Sequence, residues 1–248
     1  MRVGRVLALL AALLMAVQAT LAGPAPLNWS DLRDPAVQQF EDPYRDLSPE
    51  QFDDLLFAVR LRGRLQQDRG TAEERQKWQA LLDETEDALA ADGIDVDWLL
   101  SQREAVTERR RRAATQGNPV LDGQTVTLAG FAIPAPPDAD GRAVAYLVPE
   151  RGMCSHMPPP PPNQMIRVRL SDGWAPTFNH EPVRLTGRLV IDPSERQMVV
   201  VDGLMPMRAT FRLDVMDAEP LAQTAPSTED AAERLRAGAR RKTGGASD

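Results

Sequence analysis

A run of five consecutive prolines at residues 158–162 constrains the fold of this chain more than any other feature. Prolines in series adopt a polyproline II rod, here about 15 Å long at roughly 3.1 Å per residue. They offer no backbone N–H, so they cannot lie inside a helix or in a central strand. The run must therefore be a stiff connection. On both sides of it lie short segments rich in β-formers, punctuated by Gly and Pro. The spacing predicts strands over 124–133, 142–148, 164–170, 182–191, 197–201 and 207–215, with turns over 136–141, 171–173 and 192–195. Apolar and polar residues alternate in Met165-Ile166-Arg167-Val168-Arg169-Leu170 and again from Val183 to Leu189. One wet face and one dry face describe an antiparallel sheet. Five or six such strands in about 95 residues point to a small closed barrel with OB-like Greek-key topology. An open sandwich is the alternative.

Ahead of Gly117 the periodicity is helical. Ser48, Pro49 and Gln51 make a helix start with a capping box, and Phe52, Leu55, Leu56 and Val59 follow at helical spacing. Gly70 is a natural stop. Thr71 and Glu74 repeat the box ahead of Trp78, Leu81, Leu82 and Leu89, and Asp92-Gly93 ends that helix. Asp95 can cap a third, carrying Trp98, Leu99 and Val106 and ending in four arginines, Arg109 to Arg112. Those arginines suit the negative end of the helix dipole. Short connections make this an antiparallel helical hairpin or three-helix unit. The chain thus divides into an extended lead-in at 23–47, a helical unit at 48–116 and a β-barrel domain at 117–217. The fold class is α+β. From residue 218 the composition is Ala, Pro, Ser, Thr and charge, and a disordered tail over 218–248 is expected.

Residues 1–22 carry Arg2 and Arg5 ahead of an apolar run from Val6 to Val17, then Thr20-Leu21-Ala22. A basic start, a core too short for the about 20 residues of a membrane span and small residues behind it read as a signal peptide. A cut after Ala22, or after Ala19, would leave a periplasmic or secreted protein; an uncleaved anchor is the alternative. No later segment has membrane-spanning length, so the mature chain is expected to have no transmembrane segment. The formal net charge of −7 falls to −9 without Arg2 and Arg5, so nucleic acid and anionic lipid are not expected partners.

There is one cysteine, Cys154, so no internal disulfide can form. It stands in Gly152-Met153-Cys154-Ser155-His156, just upstream of the prolines. In an extended backbone residues i and i+2 face one way, which would bring the Cys154 thiol and the His156 imidazole together. The other histidine is His180. Cys154, His156 and His180 are the candidate metal ligands, with Glu181 as a further oxygen. Thiolate and imidazole suit zinc or copper. Met153, Met157, Met165, Met205 and Met207 lie nearby in sequence, and thioethers favour Cu⁺. Core packing accounts for methionines as well. The same pair also has the makings of a thiol nucleophile and its base, although no Asp or Asn to orient the imidazole lies near it. A third reading is structural, with Cys154 packed inside. In a fourth, Pro158, Pro159, Pro160, Pro161, Pro162, Asn163 and Gln164 are a recognition segment, since polyproline rods dock on aromatic grooves.

The motif Gly152-x-Cys154-x-His156-x-polyproline-Asn163-Gln164 resembles the bacterial family called domain of unknown function 3299. Asn28-Trp29-Ser30-Asp31-Leu32 is similar to the family's opening, residues 127–134 to its first strand, and Tyr146-Leu147-Val148-Pro149 to the strand before the motif. The resemblance implies an exported protein with no assigned activity. It also implies a link to export permeases and zinc-regulated neighbourhoods, and hence an envelope role in metal handling or transport with a membrane transport partner. Two function classes remain. One is a non-enzymatic envelope accessory that binds a soft metal, zinc or copper, or a transport partner. The other is a thiol-dependent enzyme using Cys154 with His156.

Overall fold

The computed structural model describes residues 24, 26–67, 70–155, 157–171, 173–200 and 203–222. The expected signal peptide, and the tail beyond Ala222, fall outside the described residues. The chain forms a mixed α+β structure of two compact units. One is Arg33–Gln116; the other joins Leu32 and the residues before it to the chain from Gly117 onward. The lead-in is therefore shared between the two. It is built of short 3₁₀ turns, at Trp29–Leu32, Pro35–Val37 and Pro43–Arg45, rather than of extended chain.

The helical unit holds α1 (Pro49–Gln66), α2 (Ala72–Ala91) and α3 (Val96–Thr115). Both capping boxes form, Ser48 with Gln51 and Thr71 with Glu74, and the Asp95 carboxylate accepts from the Trp98 N–H. Each cap satisfies amides that the first helical turn leaves without partners. The core comes in two patches. Leu55, Leu89, Val96 and Leu99 pack with Tyr44 and Leu47; Ala58, Leu61 and Leu82 pack with Leu65 and Trp78. The Tyr44 hydroxyl donates to the Leu99 carbonyl at 2.5 Å. Arg110 grips the buried Asp42 carboxylate with two bonds, at 2.7 and 2.8 Å.

The second unit is a five-stranded sheet: β1 (Thr125–Ala135), β2 (Val144–Val148), β3 (Ile166–Arg169), β4 (Glu181–Val200) and β5 (Gly203–Pro220). It closes on itself in the order β1-β2-β3-β5-β4, with β4 returning to β1. β3 and β5 run parallel and every other pairing is antiparallel. Leu128, Leu147, Ile166, Leu185, Phe211 and Leu213 fill the interior.

Two departures from the sequence expectation matter. Residues 192–195 are not a turn. Pro193 and its neighbours sit in a bulge between Ile191 and Ser194, and β4 runs on through it, so two expected strands are one. A bulge absorbs the unpaired residue and re-aims the strand. Beyond it, residues 196–200 pair with 203–207 as a two-stranded arm. Second, Ala218, Glu219 and Pro220, expected in the tail, complete β5 opposite Leu185, Arg184 and Val183. Gly187 permits the other irregularity. A Cβ there would lie 2.3 Å from the Asp214 carbonyl oxygen.

Candidate functional site

β2 is buried along its whole length. Ala145 and Leu147 point into the barrel, while Tyr146 and Val148 point outward into a second apolar layer. The arm supplies the outer wall of that layer. Met198, Met207 and Ala209 pack there with Ile133, Tyr146, Val148 and Met165, with Met153, Met205 and Phe131 at the margin. Cys154 lies within this layer, fully buried.

The backbone at residues 152–155 turns tightly and does not run as an extended strand. The amides of Ser155 and Met157 both donate to the Gly152 carbonyl, at 3.1 and 3.0 Å, and the Cys154 amide donates to the Met157 carbonyl at 3.1 Å. Gly152 has φ +95° and Cys154 has φ +65°. A left-handed backbone is uncommon and costly outside glycine, so surrounding contacts must hold Cys154 there. The expectation that Cys154 and His156 converge along an extended chain loses its geometric premise. His156 itself lies outside the described residues.

His180 supplies one of the contacts that hold the turn. Its imidazole Nε2 lies 2.8 Å from the carbonyl oxygen of Met153, and its own amide donates to the Ala132 carbonyl at 2.8 Å. A carbonyl only accepts, so Nε2 carries the proton. His180 also has a positive φ, +61°. It is buried and bonded to the residue just before Cys154. Glu181 is engaged elsewhere, its Oε2 accepting from the amide and hydroxyl of Thr177 at 2.6 and 3.0 Å.

Burial pushes the Cys154 thiol up to about 11. At neutral pH the thiolate fraction is then about one in ten thousand, whereas reactive cysteines need an electropositive, partly open setting that lowers the pKa. Among the described residues no three His, Cys, Asp or Glu side chains group as a metal set. A structural zinc wants four such ligands, and the described residues do not provide them.

The recognition segment divides. Pro161 keeps extended angles, φ −54° and ψ 149°, but Pro162, Asn163 and Gln164 form a 3₁₀ turn, so the rod is one residue shorter than expected. Pro158, Pro159 and Pro161 are exposed and Pro160 is buried. Asn163 and Gln164 are also buried. The Gln164 amide donates to the Trp29 carbonyl at 2.9 Å, and the Trp29 indole N–H donates to the Ala129 carbonyl at 2.8 Å. The Asn-Gln end of the motif is thus tied to the opening segment.

Sequence reasoning missed the polar border of the sulfur-bearing layer. Arg167, Arg169 and Arg196 all donate to the largely buried Asp138 carboxylate, at 3.4, 3.2 and 3.1 Å. Arg196 also donates to the carbonyls of Pro136 and Pro137. Together these bonds pin the arm to the β1–β2 turn. The signal was present in the alternating arginines of β3, Arg167 and Arg169.

The family described as "Protein of unknown function (DUF3299)" matches residues 44–218. A crystal structure of a DUF3299 family protein from Pseudomonas aeruginosa is similar at 23% identity and a TM-score of 0.35, covering 49% of this chain and 80% of that one. No curated protein matches.

Proposed function

The chain belongs to the DUF3299 family, and from that premise we propose that it is an exported, non-enzymatic accessory protein of the cell envelope that holds a soft metal ion in the sulfur layer around Cys154. The ion is Cu⁺ rather than Zn²⁺. The observation that carries this is the shared apolar layer that holds the sole cysteine with Met165, Met198 and Met207 and is bordered by Met153 and Met205. Thiolate and thioether sulfurs are soft donors that select Cu⁺, and neutral thioethers suit a site that is otherwise apolar. Binding the ion would displace the thiol proton, so affinity should rise with pH. His180 acts as the clamp of the turn, its Nε2 committed to the Met153 carbonyl. That role replaces its expected one as third ligand.

The barrel that carries this layer is OB-like. Its support is the order β1-β2-β3-β5-β4 with a single parallel pair, β3 with β5. Export rests on the basic and apolar pattern of residues 1–22. A membrane transport partner that delivers or removes the ion fits an accessory with no membrane-crossing helix among the described residues. A thiol enzyme is disfavoured by the elevated thiol pKa.

Anaerobic titration against a chromophoric Cu⁺ chelator, with Zn²⁺ in parallel, tests the reading. One Cu⁺ per chain should bind more tightly than about 10 μM, about −7 kcal/mol, and Zn²⁺ more weakly. Met207→Leu conserves volume and removes only the sulfur, a swap that usually costs under about 1.5 kcal/mol. It and Cys154→Ser should each weaken Cu⁺ at least tenfold while the protein stays folded. Wild-type binding weaker than 10 μM, or full affinity in both variants, refutes the site.

A further inference from the structure

The helical unit carries an apolar groove that the sulfur site does not use. It has a volume of about 250 Å³ and lies between α1 and α3. Phe52, Leu56 and Val59 form one wall, at i, i+4 and i+7 of α1, and Leu100 and Val106 lie opposite. Phe52 and Leu56 are 41% and 42% exposed. These apolar side chains stand on one helix stripe and open into the cavity, so a ligand seated there would cover them. The groove is lined by two arginines and by no carboxylate. Arg110 is already neutralised by its paired bonds to Asp42. Arg103 has no carboxylate partner among the described residues, and the Thr107 hydroxyl beside it is committed to the Arg103 backbone carbonyl at 2.7 Å.

These features define the occupant. The cavity falls below the roughly 300–1,000 Å³ of sites for drug-sized ligands, so it suits one slim flexible chain. From Phe52 to Val59 the stripe is about 10 Å long at 1.5 Å per residue, short for the docking face of a helix. One uncompensated cation at the rim matches one negative charge. We propose that the groove binds a single acyl chain with a carboxylate head, a free fatty acid, with the chain along Phe52, Leu56 and Val59 and the head on Arg103.

The test is calorimetric titration of the full mature chain with decanoate, decanol and decyltrimethylammonium. Decanoate should bind saturably and at least tenfold more tightly than decanol, and the cation no better than decanol. Arg103→Gln should bring decanoate to the level of decanol without changing decanol. Leu56→Asp, at an exposed position, should abolish both while the melting temperature holds. The proposal fails if decanoate shows no saturable binding up to about 1 mM, if decanol matches it, or if either variant binds decanoate as the wild type does. It also fails if an acidic amphipathic peptide binds and decanoate does not displace it; the groove would then be a protein interface.

Discussion

A thiol lifted to about 11 by burial is protonated and inert at neutral pH. Cys154 should therefore resist a disulfide-exchange reagent at pH 8 in the native protein and react fully in denaturant. Rapid native labelling would show that the turn opens and would revive the nucleophilic reading. Asp42 is the second residue whose surroundings decide its chemistry. Its bonds to Arg110, with Arg45 beside it, hold the carboxyl below the usual carboxylate range. A group whose folded pKa is depressed stabilises the fold above its unfolded pKa, near 3.9. That contribution is lost as pH falls through the lower, folded value. Asp42→Asn should cost about 1–3 kcal/mol at pH 7 and flatten the loss of stability below about pH 4. Denaturant melts at pH 3 and pH 7 check both; an unchanged acid slope would exclude Asp42 as its source.

Local chemistry made some elements legible and long-range pairing hid others. The starts of α1, α2 and α3 could be read because a capping box or a capping aspartate is a contact within four residues. The bulge at Ile191–Ser194 could not, because Pro193 and its charged neighbours look like a turn until β5 lies opposite them. The same holds for Cys154. Its left-handed turn depends partly on His180, 26 residues further along the chain, and no local rule foresees that contact. One further signal lies in β2 itself. Val144-Ala145-Tyr146-Leu147-Val148 shows no alternation, the mark of a strand covered on both faces. The arm that covers it is pinned through Asp138. Asp138→Ala leaves three arginines without that carboxylate, and amide exchange in residues 196–200 and 203–207 should accelerate while the barrel strands stay protected. Unchanged protection in the arm would show that its apolar contacts alone hold it.

The helical unit has its own apolar core, and the β unit has two apolar layers that differ in composition. The barrel interior is aliphatic with one aromatic ring, as a packing core should be, whereas the outer layer concentrates sulfur. Two claims belong to the whole molecule. The first is export: intact mass of protein taken from the cell envelope should begin at Gly23 or Thr20, and retention of residues 1–22 on most molecules would contradict it. The second and central claim is that the sulfur layer is a ligand set. X-ray absorption at the copper edge of the Cu⁺-loaded protein tests it most directly. The expected result is a first shell of sulfur alone, with one sulfur lost in Cys154→Ser. A shell dominated by nitrogen or oxygen, or one indifferent to Cys154, would contradict it.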